Sequence, residues 1–133
     1  MSATVLVVDD SEPIRNLLGR TLAPLGYQVL FAANGEEALQ TVAHQPPSLV
    51  LIDIKLPTMD GYEVCRVLKE DPKTAGMPVL MISGLDETDD IRKALHHGAD
   101  GYIMKPFRTE ELRDKIREML ELAKTGKLPG RFY

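Results

Sequence analysis

Hydrophobic positions along the chain fall into two rhythms. Short aliphatic or β-branched runs recur at 4–8, 28–32, 48–52, 79–82 and 101–104, each bounded by polar or turn-forming residues, which predicts five strands. Between them the apolar positions take helical spacing. Ile14, Leu17, Leu18, Thr21, Leu22 and Leu25 mark one mostly apolar face, and Leu112, Ile116, Met119, Leu120 and Ala123 mark another on a final helix over 109–124. Ser11, Asn34 and Thr109 stand where N-caps belong, and Gly26, Gly98 and Gly126 stand where helices end. Strands that read as continuous apolar runs are covered on both faces, and alternating strand and helix gives a parallel sheet between helical layers. The expected fold is therefore α/β: a doubly wound, five-stranded parallel sheet in the flavodoxin-like order 2-1-3-4-5, with helices on both faces.

The 133 residues suffice for one domain with a proper core, and 44% hydrophobic content is ordinary for a folded chain. Helical periodicity fades after Lys124, where Gly126, Pro129 and Gly130 occur, so the expected division is a domain over 1–124 and a tail or truncated linker over 125–133. A net charge of -4 without a Lys/Arg-rich tract argues against direct binding to nucleic acid or an anionic membrane. The single cysteine, Cys65, excludes an intrachain disulfide and reads as a small core residue among Val64, Val67 and Leu68. With no signal-peptide pattern at the N-terminus and no apolar run of membrane-spanning length, a cytoplasmic protein is expected.

The polar residues at the strand ends carry the chemistry. In an open parallel sheet, ligands bind outside the carboxyl ends of the strands. That edge here holds Asp9 and Asp10 after strand 1, Asp53 after strand 3, Ser83 after strand 4 and Lys105 after strand 5. Taken singly, Asp9 or Asp10 reads as a helix-capping acid, Ser83 as a turn residue and Lys105 as a solvated charge. Asp53 resists that treatment, because the Ile54-Lys55-Leu56-Pro57 stretch after it is no helix start. Carboxylates within about 4 Å of one another repel by roughly 4 kcal/mol per pair at an effective dielectric near 20, so such a cluster calls for a cation. An all-oxygen donor set points to a hard ion such as Mg²⁺. A carboxylate beside a divalent ion, a lysine and a hydroxyl is arranged to receive a phosphoryl group.

Four blocks, VLVVDDSE, LVLIDIKLPTMDG, VLMISG and GADGYIMKPF, occur in that order, and over about 4–123 the chain resembles the receiver domains of two-component response regulators, the family of the chemotaxis response regulator. The resemblance implies Asp53 as phosphoacceptor. It implies a Mg²⁺ site of Asp9, Asp10, Asp53 and the backbone carbonyl of Lys55, Ser83 as a switch hydroxyl, Lys105 as the phosphate-binding lysine with a cis peptide before Pro106, and Tyr102 as a switch aromatic. The implied role is a signalling phosphoacceptor, not a separate enzyme, that promotes its own phosphorylation and dephosphorylation. The implied partners are a histidine kinase or histidine phosphotransfer protein, and a downstream protein or second copy at the helix 4, strand 5, helix 5 face, roughly 87–123. The alternative is a receiver-fold interaction module that no longer cycles through phosphorylation.

Two rival chemistries fit less well. A phosphatase similar to the haloacid dehalogenase group needs a second Asp two positions after the nucleophile, where this chain has Lys55. A flavin-phosphate site after strand 1 would meet repulsion from Asp9, Asp10 and Glu12. His96 and His97 are adjacent on a predicted helix, so they do not face each other as a ligand pair would.

Overall fold

The computed structural model describes residues 3–84 and 98–128. Five parallel strands, β1 (Thr4–Val8), β2 (Gln28–Ala32), β3 (Leu49–Asp53), β4 (Val79–Ser83) and β5 (Gly101–Met104), form one sheet in the order β2-β1-β3-β4-β5. This is the expected fold class. Each strand's apolar run is divided between two cores by the two-residue alternation of a strand. Leu6, Val8, Val50, Ile52 and Met81 face helices α2 (Gly35–His44) and α3 (Gly61–Glu70), packing with Ala38, Val42, Val64, Cys65 and Leu68. Val5, Val7, Leu51, Leu80 and Ile82 face α1 (Glu12–Leu22) and the C-terminal helix (Thr109–Lys124), packing with Leu18, Leu22, Leu112, Ile116 and Met119. Two cores, one per face, explain why the central strands are apolar between their terminal residues.

The predicted boundaries differ from the observed ones in small ways. Asp53 and Ser83 are the last residues of β3 and β4 and not the first residues beyond them. Ser11 and Asn34 cap α1 and α2 through side-chain oxygens that accept the Ile14 and Glu37 amides. Thr109, by contrast, is the first helical residue: Arg108 is the cap, and the Glu111 carboxylate accepts its backbone N–H at 3.4 Å. Asp60 caps α3 by accepting the Glu63 amide at 3.0 Å. Leu17, placed on the apolar face of α1 by its spacing, is 52% exposed and borders an open groove. The helix predicted between β4 and β5, with His96 and His97, lies outside the described residues.

The C-terminal helix closes with Gly126 at φ 70, the Gly126 amide donating to Ala123 and the Lys127 amide to Leu122. This pair of bonds is a Schellman arrangement, which needs a left-handed residue and so favours glycine. Beyond it Leu128 is fully buried. Among the described residues no helix is long and apolar enough to cross a membrane.

Candidate functional site

Strand register brings the acids together. Val8 is the partner of Ile52 across β1 and β3, so Asp9 and Asp53, one residue further on, sit side by side at the carboxyl edge of adjacent strands. Ser83 pairs with Met104 at the ends of β4 and β5, which sets Lys105 on the same edge. The Lys105 ammonium reaches back to Asp53 Oδ2 at 3.4 Å, and the Lys55 amide donates to Asp53 Oδ1 at 3.0 Å. The peptide bond between Lys105 and Pro106 is cis.

Asp9 is the buried member of the set, only 2% exposed. Its Oδ1 accepts the Ser11 amide at 2.9 Å, while its Oδ2 is buried with no hydrogen-bond partner. Burial holds the Asp9 carboxyl above its ordinary value of 3.8. The Asp53 charge adds to the rise, and the Ser11 hydrogen bond and Lys105 oppose it. An orphaned buried oxygen beside a second carboxylate is a poor arrangement for two anions and a good one for an anion pair with a cation between them. The donors are all oxygens, which suits a hard ion.

Asp10 is exposed, and among the described residues no three His, Cys, Asp or Glu side chains are gathered closely enough to cage a metal by themselves. Mg²⁺ does not need such a cage: it keeps several waters and takes one or two carboxylates from a protein. The residues present therefore fit a hydrated divalent ion. Tyr102 is 38% exposed on β5, whose neighbours Gly101 and Ile103 are buried. The Ser83 side chain lies outside the described residues.

The loop from Asp53 to α3 is tightly held. Thr58 has φ 67, a left-handed conformation that a β-branched residue adopts only under constraint. Gly61 donates its N–H to the Ile54 carbonyl at 2.9 Å, and a Cβ on Gly61 would lie 2.7 Å from the Asp53 carbonyl oxygen. The glycine lets α3 start directly against the strand that carries Asp53. Neither this role nor two others emerged from spacing alone. Arg15 donates from Nη1 to the Asp9 carbonyl at 2.7 Å. Lys69 and Asp100 form a buried ion pair at 2.6 Å, with Asp100 also accepting the Val79 amide and Lys69 also donating to the Ala75 and Met77 carbonyls. The "GAD" before β5 and the lysine at the end of α3 were the available signals, but a pairing 31 residues apart leaves no periodic trace.

A groove of about 380 Å³, lined by Ile14, Leu17, Leu18, Lys105 and Phe107 among others, opens beside the Asp53–Lys105 pair. A larger one, about 620 Å³, lies between α2, α3 and the starts of β3 and β4, at the opposite end of the sheet from these charges. Cys65 is fully buried, and burial pushes its thiol up to about 12, which keeps it protonated at neutral pH.

Fold and edge together define a doubly wound α/β domain whose charged groups converge at the carboxyl ends of its central strands. Residues 5–117 match the model of the response regulator receiver domain, and the chain belongs to that family. It is 43% identical over 119 residues to the "Probable transcriptional regulator ycf27" of Pyropia yezoensis, covering 90% of this chain and 48% of that protein. It is 39% identical over 120 residues to the alkaline phosphatase synthesis transcriptional regulatory protein PhoP of Bacillus subtilis, covering 90% and 49%. The chain thus spans about half the length of these curated relatives. Among solved structures, the chemotaxis protein CheY4 of Vibrio cholerae superimposes with a TM-score of 0.83 at 30% identity, covering 90% of this chain and 99% of that one.

Proposed function

We propose that Asp53 is the phosphoacceptor of this receiver domain, taking a phosphoryl group from a phosphohistidine donor in a Mg²⁺-dependent reaction. The observation that carries the reading is the juxtaposition of Asp53, held by the Lys55 amide and Lys105, with the buried, unpartnered oxygen of Asp9. In the transfer an Asp53 carboxylate oxygen forms the new P–O bond as the P–N bond to the donor histidine breaks, and the leaving imidazole nitrogen keeps the electron pair and takes a proton. Asp9, Asp10, Asp53 and the Lys55 carbonyl would hold Mg²⁺. When bound, the ion neutralises developing charge on the phosphoryl oxygens. Lys105, already 3.4 Å from Asp53, supplies a fixed positive charge to the same oxygens. Hydrolysis of the resulting acyl phosphate by water at this site resets the domain.

The proposed output follows from the neighbours of Lys105. Ser83 and Tyr102 are the proposed switch pair, Ser83 ending β4 and Tyr102 lying on β5 beside it. A contact made by the phosphoryl group and not by the bare carboxylate biases a two-state packing. The partner, or a second copy, then binds the face that includes β5 and the C-terminal helix, where Tyr102, Met104, Glu111 and Lys115 line a shallow depression. On the input side, the groove at Leu17 and Phe107 shares Lys105 with the site and is the proposed seat of the donor protein.

Intact mass after incubation with acetyl phosphate tests the reading. The expected result is one phosphoryl adduct with Mg²⁺, lost in EDTA and in Asp53→Asn. An adduct that persists in Asp53→Asn, or forms equally without a divalent ion, overturns it.

A further inference from the structure

We infer that Arg15 is a positioning residue for the cation site, acting through Asp9; the inference rests on the reading of Asp9 as a cation ligand. Arg15 stands in the first turns of α1, and its guanidinium donates to the Asp9 main-chain oxygen at 2.7 Å. Its own amide donates to the Ser11 carbonyl at 3.0 Å. Ser11 in turn donates its amide to Asp9 Oδ1 at 2.9 Å and caps the helix by accepting the Ile14 amide. The start of α1 therefore holds Asp9 at two points, the main-chain oxygen through Arg15 and one carboxylate oxygen through Ser11. What remains is Oδ2, buried and unpartnered. With the backbone and one carboxylate oxygen fixed, the second oxygen has one direction left to it. Groups that orient a metal ligand in this manner typically contribute 10–100-fold to metal affinity.

A different role for Arg15 predicts the opposite sign. As a mere positive charge near two carboxylates it competes with a divalent ion, and its removal would tighten binding. As a mere anchor of α1 it would affect stability and leave affinity alone.

The test is the affinity of the full, unphosphorylated chain for Mg²⁺, followed by amide shifts in an NMR titration, with thermal midpoints in EDTA measured alongside. Arg15→Met is expected to weaken Mg²⁺ binding about 10-fold. Arg15→Lys, which keeps a donor on a shorter reach, recovers part of the loss. Unchanged or tighter binding in Arg15→Met overturns the inference, whatever happens to its midpoint. Should Arg15→Met not fold, Arg15→Lys decides alone: affinity equal to or tighter than wild type overturns the inference, and weaker binding at an unchanged midpoint supports it. A wild-type chain that binds no Mg²⁺ at millimolar concentration overturns the reading of Asp9 itself. Wild-type binding with unaltered variants overturns only the role of Arg15.

Discussion

Replacing Asp9 with Asn should make the metal-free domain more stable and leave it unable to gain from Mg²⁺. In the folded chain Asp9 Oδ2 is buried without a partner, and an unsatisfied buried polar group costs about 1–3 kcal/mol. The adjacent Asp53 charge adds repulsion, which Lys105 at 3.4 Å from Asp53 partly offsets. Asn keeps the shape, still accepts the Ser11 amide, and presents a donor towards Asp53. A gain of about 1–2 kcal/mol at pH 7 follows, or about 4–8 °C in midpoint for a domain of this size. The pH dependence has a definite sign. Burial raises the folded Asp9 pKa above 3.8, so the folded form binds more protons than the unfolded form between the two values. Wild-type stability is therefore lost as pH rises from about 3.8 through the raised value, and the penalty is fully present above it. The advantage of Asn should be near zero below pH 3.8 and complete at neutrality. Mg²⁺ at ten times its dissociation constant adds about 1.4 kcal/mol to wild type and nothing to the variant, closing most of the gap. Scanning calorimetry at pH 3.5 and 7, with EDTA or Mg²⁺, measures all four corners. An Asp9→Asn domain less stable than wild type in EDTA at pH 7, or an advantage equally large at pH 3.5, refutes the reasoning.

Gly61→Ala should cost about 2–3 kcal/mol in denaturant unfolding and slow acetyl-phosphate labelling, because its Cβ would press on the Asp53 carbonyl 2.7 Å away. Thr58→Gly should stabilise by about 1 kcal/mol, since it relieves a left-handed β-branched residue at an exposed position; an unchanged midpoint would show that φ 67 stores no strain. Lys69→Met should cost about 3–5 kcal/mol by leaving Asp100 charged and buried without its ammonium, read as a drop in urea midpoint. Leu17→Glu should slow transfer from a phosphohistidine protein while leaving labelling by acetyl phosphate intact, because Leu17 is exposed on the groove and is not one of the proposed ligands; equal slowing of both would remove the groove from donor docking.

The strands were legible because a central parallel strand leaves a strong mark: Val5 to Val8 and Leu49 to Ile52 are all fully buried, so no polar residue interrupts them. The one-residue extensions at Asp53 and Ser83 escaped for the same reason in reverse. Both residues are polar, so a hydrophobic reading stops one position short of each strand's end. Leu17 shares the apolar face of α1 with Ile14, Leu18 and Thr21 yet stays exposed, because a stripe that includes i, i+3 and i+4 covers more of α1 than the sheet does. The cap of the last helix is Arg108, one position before the hydroxyl that N-cap preference points to, with the Glu111 carboxylate reaching back to accept the Arg108 N–H.

The site divides along a similar line. Asp9, Asp53 and Lys105 were legible because a single topological rule, ligands at the carboxyl edge of neighbouring strands, places them together without side-chain detail. Register then supplies the distance: Val8 opposite Ile52 makes Asp9 and Asp53 neighbours at the roughly 4.8 Å spacing of adjacent strands. What spacing cannot supply is which oxygen of which acid is left over. Asp9 and Asp10 are equivalent in the sequence, yet Asp9 is buried and Asp10 exposed. Ser11 and Arg15, a cap and a guanidinium, both bond to Asp9. An amide and a long side chain at the start of α1 thus hold one member of the acid pair and leave the other exposed. If that asymmetry governs the cation, Asp9→Asn and Asp10→Asn should not be equivalent in the metal-free domain. Only the first should raise the midpoint, since only Asp9 carries a burial penalty to relieve.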